Sequence, residues 1–156
     1  MSGSGADLAL LLLGGYRLLV DRTVRGLAEQ GFDDVRPVHE FALRAIDAGA
    51  GTASELGRRM AVSKQAAGKT LQTLLDRGWV ARVTDGGDAR SKRFAVTPRG
   101  FALLRQGEAI LDELRGEWEQ QLGAEDVALL EARLRTLVGD TPVRVDAPGW
   151  VATEAE

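Results

Sequence analysis

The stretch "TASELGRRMAVSKQAAGKTLQTLLDRG", residues 52 to 78, constrains this chain more than any other. It contains two helix starts in quick succession. "TASE" is a capping box, in which the Thr52 hydroxyl accepts the Glu55 N–H and the Glu55 carboxylate accepts the Thr52 N–H. The helix it opens lasts to about Met60. After the connection "AV", Ser63 caps a second helix that runs to Arg77 and is closed by Gly78. Two short helices joined by a tight turn read as a helix-turn-helix. In the second helix Ala67, Leu71, Leu74 and Leu75 form an inward stripe, which leaves Ser63, Lys64, Gln65, Gly68, Lys69 and Gln72 outward. Amides, hydroxyls and ammoniums near a helix N-terminus suit base edges and phosphates in a major groove.

Beyond Gly78 the chain takes on the period of strands. "WVARV" (79 to 83) and "RFAVT" (93 to 97) alternate, and Gly86-Gly87 lies between them, so the segment reads as a β-hairpin. A hairpin directly after a helix-turn-helix is a wing. Its cations, Arg90, Lys92 and Arg93, suit a narrow minor groove, where negative potential concentrates. Asp88 repels phosphate, so its expected task is to hold the loop or orient Arg90. The charge distribution agrees: residues 52–100 hold ten Lys and Arg against four Asp and Glu, or +6, in a chain of net charge -3. A basic stretch is also what a plain solvated face provides.

The flanks predict helices. Leu8, Leu12, Leu13, Tyr16, Leu19, Val20, Val24 and Leu27 fall at helical spacing over residues 6 to 30, with Gly31 as the stop. Gly14-Gly15 inside that helix predicts a kink or a close helix crossing. Pro37 opens a helix through Phe41 and Ile46 to the break "DAGAG". Thr97 and Pro98 launch a long helix in which Leu104, Leu111 and Trp118 recur every seven residues, with Leu114 and Leu122 alongside. Gly123 interrupts it, and Val127, Leu130, Leu134 and Val138 define a last helix ending at Gly139. The expected fold class is mainly α with a small β-hairpin wing: a winged helix-turn-helix core flanked by N- and C-terminal dimerisation helices. Its divisions are 1–35, N-terminal dimerisation helix; 36–100, winged helix-turn-helix; 101–139, C-terminal dimerisation helices; and 140–156, an irregular tail with Trp150. The apolar stripe exceeds what a small winged domain must cover, so Leu8, Leu12, Leu104, Leu111, Leu114, Trp118, Leu130 and Leu134 are the candidate homodimer interface. The competing assignment is packing of these helices within one chain.

Other chemistries find little support. The chain has no cysteine and one histidine, His39, which excludes disulfides and thiolate chemistry and leaves metal and enzyme readings without ligands or a catalytic base. Neither a metal nor a cofactor is expected. "AGKT" (67 to 70) resembles the end of a P-loop, but the required first glycine would fall on Ser63 and no strand precedes it. "LALLLLGGYRLLV" (8 to 20) is too short to span a bilayer and holds Arg17, and with no export signal the cytoplasm is the expected compartment.

The residues from Thr52 to Gly100 resemble the winged helix-turn-helix of MarR-type transcriptional regulators. "LLDRGWV", Asp-x-Arg at Asp88 and Arg90, and "VTPRG" carry the resemblance. It implies a homodimer on a pseudo-palindromic double-stranded DNA operator, with the helix from Ser63 in the major groove and Arg90 in the minor groove. Gly68, a helix breaker amid the recognition helix, departs from the pattern. The resemblance further implies release by a small aromatic or amphipathic effector, for which Tyr16, His39, Met60 and Trp79 are the pocket candidates; each also suits a plain core, and His39 best suits a satisfied structural role. The alternative to an operator-binding repressor or activator is a winged-helix interaction module whose basic face meets an acidic protein or serves only as a structural scaffold.

Overall fold

The computed structural model describes residues 3–84 and 92–140. Among these, six helices and one antiparallel hairpin follow in the order α1 (Gly5–Glu29), α2 (Pro37–Asp47), α3 (Ala53–Met60), α4 (Lys64–Asp76), β1 (Val80–Val83), β2 (Arg93–Val96), α5 (Pro98–Leu122) and α6 (Ala124–Val138). This is the expected winged-helix class. The punctuation works as read: Thr52 accepts from Glu55 N and Ser63 from Ala66 N, while Gly31, Gly78, Gly123 and Gly139 all take positive φ just past helix ends. Arg77, expected as the last helical residue, is the C-cap of α4. The tail beyond Asp140, Trp150 included, lies outside the described residues.

The chain divides into two compact units, one of Met1–Val35 with Arg105–Val138, the other centred on Arg36–Leu104. In the first, Ser4 and Asp7 cap α1 reciprocally, and those hydrogen bonds hold the Asp7 carboxyl below its usual range. Its buried residues include Leu27, Leu114 and Val127. The close crossing expected at Gly14-Gly15 is found instead three turns further along α1. A Cβ on Gly26 would stand 2.7 Å from Ile110 Cδ1, whereas one on Gly15 would meet only Trp118 at 3.9 Å and one on Gly14 nothing. The pair is tied on its surface by Arg22 to Glu117 at 3.0 Å. Arg115 on α5 binds Glu131 on α6 at 2.7 Å and Glu119 one turn on.

The second unit holds α2, α3, α4, the hairpin and the first turns of α5. Leu43, Leu56, Leu74 and Leu103, one from each helix, are fully buried with Trp79 and Val80; such side chains contribute roughly 1.5–3 kcal/mol each. Gly57 permits the tight α3–α4 turn, since a Cβ there would lie 3.0 Å from the Val62 carbonyl. The strands pair Val80 with Val96 through Val83 with Arg93. Thr97 then anchors the start of α5: its N–H donates to the Trp79 carbonyl at 3.0 Å and its hydroxyl to the Gly78 carbonyl at 2.6 Å. Its hydroxyl oxygen accepts from Gly100 N. Gly100 is needed because a Cβ there would collide with the Trp79 carbonyl.

Candidate nucleic-acid interface

Helix α4 presents the expected face. Ala67, Leu71 and Leu74 are buried inward, which rotates Ser63, Lys64, Gln65, Lys69 and Gln72 into solvent, with Gly68 half-buried. Leu75, assigned to the inward stripe, is only partly covered. The Ser63 hydroxyl is engaged by the helix cap. Gln72 donates to Asp76 at 2.7 Å, so its amide is oriented along the helix rather than free to turn. Around Gly68 nothing lies within 4 Å of a Cβ position, which leaves its backbone open to close approach by a partner. Lys64 is an exposed cation at the N-terminus of α4, whose dipole adds to the attraction for phosphate, and Lys69 is exposed in the second turn.

The hairpin cations differ in role. Lys92 is exposed. Arg93, expected among the DNA contacts, is instead engaged inside the protein: its Nη1 donates to Glu55 Oε2 at 3.2 Å and Oε1 at 3.4 Å. The pair joins residues 38 apart in sequence and leaves the Arg93 side chain partly exposed. Asp88 and Arg90 lie outside the described residues. Glu55 and Gly51 are the residues that sequence reasoning missed here. Glu55 was legible as a helix cap, but nothing local signals its second partner.

Among the proposed effector residues, His39, Met60 and Trp79 are buried within the second unit, and Tyr16 belongs to the first. The His39 and Trp79 rings lie 5.7 Å apart, tilted by 59°, and the Arg77 guanidinium sits 5.2 Å over the Trp79 ring. Burial, then the charges of Arg77 and Arg36, push His39 down to about 4, so the ring is neutral at pH 7. Glu40 next to it is pushed up by burial against the opposing charge of Arg44. Two buried polar atoms here, Trp79 Nε1 and Glu40 Oε1, have no hydrogen-bond partner among the described residues. An open depression of about 350 Å3 on the same unit is lined by Ala48, Ala50, Glu55, Arg58 and Arg59, none of them an effector candidate. No group of His, Asp and Glu able to hold a metal occurs among the described residues.

The candidate interface leucines also divide. Leu104 and Leu114 are 8% and 4% exposed; they are core of the single chain and have no surface left for a partner. Leu111, Trp118 and Leu134 are half-buried. Leu8, Leu12 and Leu130 are exposed, in company with Leu10, Leu11, Leu18, Leu122, Leu129, Leu137 and Val138. Apart from Phe41 and Val83, every large exposed hydrophobic among the described residues lies in the first unit. No helix among them is long and apolar enough to cross a membrane.

Comparison with known proteins gives one answer from two directions. The MarR family model matches residues 35–91. A mutant MarR from E. coli is 25% identical, over 88% of this chain and 98% of that one, with a TM-score of 0.66. A MarR family protein of Mycobacterium tuberculosis in complex with salicylic acid is 27% identical, over 87% and 97%, with a TM-score of 0.60. A MepR mutant from S. aureus bound to an oligodeoxyribonucleotide, 16% identical over 84% and 95% with a TM-score of 0.58, shares the fold.

Proposed function

Because this chain belongs to the MarR family, we propose that it is a transcriptional repressor that binds a pseudo-palindromic operator as a homodimer and acts in the cytoplasm. The observation that carries the reading is the outer face of α4, where Lys64, Gln65, Lys69 and Gln72 are exposed beside the open backbone of Gly68. Such a face supplies cations for phosphates and amides for base edges, with no bulky apolar group to obstruct a groove. Basic charge is concentrated there although the chain as a whole is acidic, so the attraction is local to the winged unit.

The exposed leucines of the first unit support dimerisation. Leu8, Leu12 and Leu130, with their neighbours, leave large apolar side chains open to water in a single chain, the kind of side chain that an interface would cover. Two copies related by a two-fold axis match a palindrome, whose half-sites repeat about one helical turn apart. The salicylic acid complex of the mycobacterial relative supports release by a small aromatic acid, with Tyr16, His39, Met60 and Trp79 as the residues to test.

The test is selection from random duplexes, followed by titration of the recovered sequence and a scrambled duplex at several salt concentrations, with and without salicylate. A palindromic winner bound at least about a thousandfold more tightly than the scramble is the expected result. Weak binding without enrichment would replace the operator reading with a winged-helix module whose basic face meets an acidic protein.

A further inference from the structure

Four contacts converge where the hairpin meets α3. The Phe94 N–H donates to the Gly51 carbonyl at 2.8 Å. Arg93 Nη1 reaches both carboxylate oxygens of Glu55. Glu55 Oε2 simultaneously accepts from Thr52 N at 3.1 Å. Gly51 has no room for a side chain, because a Cβ there would stand 2.9 Å from the Phe94 carbonyl oxygen and 3.1 Å from Arg93 Cγ. One carboxylate thus closes the N-terminus of α3 and holds the guanidinium that opens β2.

This gives β2 two attachments. Its far end is pinned by Thr97 to the Gly78 and Trp79 carbonyls, just past the C-terminus of α4. Its near end is pinned by Arg93 and Phe94 to the residues that start α3. A two-stranded ribbon held at one point swings about it, whereas one held at both ends of a strand keeps a single direction relative to the helices beneath. The attachment is specific to geometry rather than to stability, since Arg93 and Glu55 are partly exposed and such a pair adds little to folding.

We propose that Arg93 and Glu55 are positioning residues for DNA recognition: their ion pair, with the Gly51–Phe94 hydrogen bond, sets the direction of the hairpin relative to α4, and Arg93 does not bind phosphate. The proposal rests on the reading of α4 and the hairpin as a DNA-binding surface. It differs from a phosphate-contact role in the sign of one effect. If Arg93 contacted phosphate, Glu55 would compete for it, and Glu55→Gln would strengthen binding. If the pair positions the hairpin, Glu55→Gln weakens binding, although glutamine retains the helix cap.

The experiment uses the full chain and its selected duplex, with dissociation constants measured across salt concentrations for the parent, Arg93→Ala, Glu55→Gln, the double variant and Lys64→Ala. The expected result is that Arg93→Ala and Glu55→Gln each weaken binding by about threefold to tenfold, that the double variant is no worse than either, and that the slope of log K against log salt stays at the parent value. Lys64→Ala, by contrast, should lower that slope by about one. Hydrogen exchange at the Phe94 amide should accelerate in Glu55→Gln, a readout that does not depend on DNA. Tighter binding by Glu55→Gln, a slope reduced by one in Arg93→Ala, or additive losses would each overturn the positioning role while leaving the DNA reading intact. A parent chain that selects no duplex at all would remove the DNA reading, and the positioning role with it.

Discussion

His39 Nδ1 accepts a hydrogen bond from the Arg36 backbone N–H at 3.1 Å, so a neutral imidazole closes the first turn of α2. Its ring is 6% exposed and packs on Trp79. A proton on Nδ1 would remove the acceptor and place a charge beside Arg36 and Arg77, the two cations that already push its titration down.

Stability should therefore fall with acidification. Unfolded His39 titrates near 6.5 and folded His39 near 4, so between those values the unfolded chain takes up a proton that the folded chain refuses. The stability is fully present above pH 6.5 and is lost toward pH 4, with Glu40, which burial makes easier to protonate, opposing the trend at the acid end. Urea unfolding should give a free energy about 2 kcal/mol lower at pH 5 than at pH 7. His39→Gln keeps an acceptor at the same helical position and should flatten that difference; an unchanged loss in the variant would assign the effect elsewhere.

Gly26 and Ile110 should behave as a coupled pair. Gly26→Ala gains about 1 kcal/mol of helix propensity but pushes a methyl into Ile110 Cδ1, a collision costing roughly 1–3 kcal/mol. The single variant should lose on the order of 1 kcal/mol, and adding Ile110→Val, which deletes the obstructing carbon, should restore it. Additive losses in the double variant would show that the crossing relaxes by another route.

Gly68 should separate stability from binding. With nothing within 4 Å of its Cβ position, Gly68→Ala should stabilise the chain by about 1 kcal/mol. The same methyl should weaken operator binding if DNA approaches the backbone there. A variant both more stable and equally tight would show that the groove wall stays clear of this turn.

Base and phosphate contacts should be distinguishable along α4. Gln65→Ala is expected to change sequence preference, whereas Lys64→Ala and Lys69→Ala should weaken all duplexes alike. At the hairpin, Arg90→Ala should cost about 1–3 kcal/mol of operator affinity. An unchanged dissociation constant for Arg90→Ala would dismiss it as a groove contact.

The exposed leucines should decide the oligomeric state. Leu8→Asp and Leu12→Asp place a charge on surface that is already open in one chain, so neither should disturb the core, and both should shift sedimentation toward monomers. Leu114→Asp is a different experiment, because it buries a charge inside the chain and should prevent folding altogether. A dimer that survives both surface variants would move the interface elsewhere.

By itself the sequence determined the elements and their order. Capping boxes, helix-closing glycines and the switch from helical to strand period are signals between residues two to four apart, and Thr52 with Glu55, Ser63 with Ala66, and Gly78 each formed the local structure they announced. The outward face of α4 was legible for the same reason, since an inward stripe at Ala67, Leu71 and Leu74 dictates what points away. Only the tertiary structure decided partners. It buried Leu104 and Leu114 while leaving Leu8 and Leu12 open, although all four lie on apolar stripes of their helices. It also moved the close crossing from Gly15 to Gly26, against an isoleucine far along the chain, and gave Arg93 to Glu55. The physical reason is range: backbone hydrogen bonding and side-chain period act within a few residues, whereas the choice of neighbour depends on how separately formed elements pack, which no local pattern records.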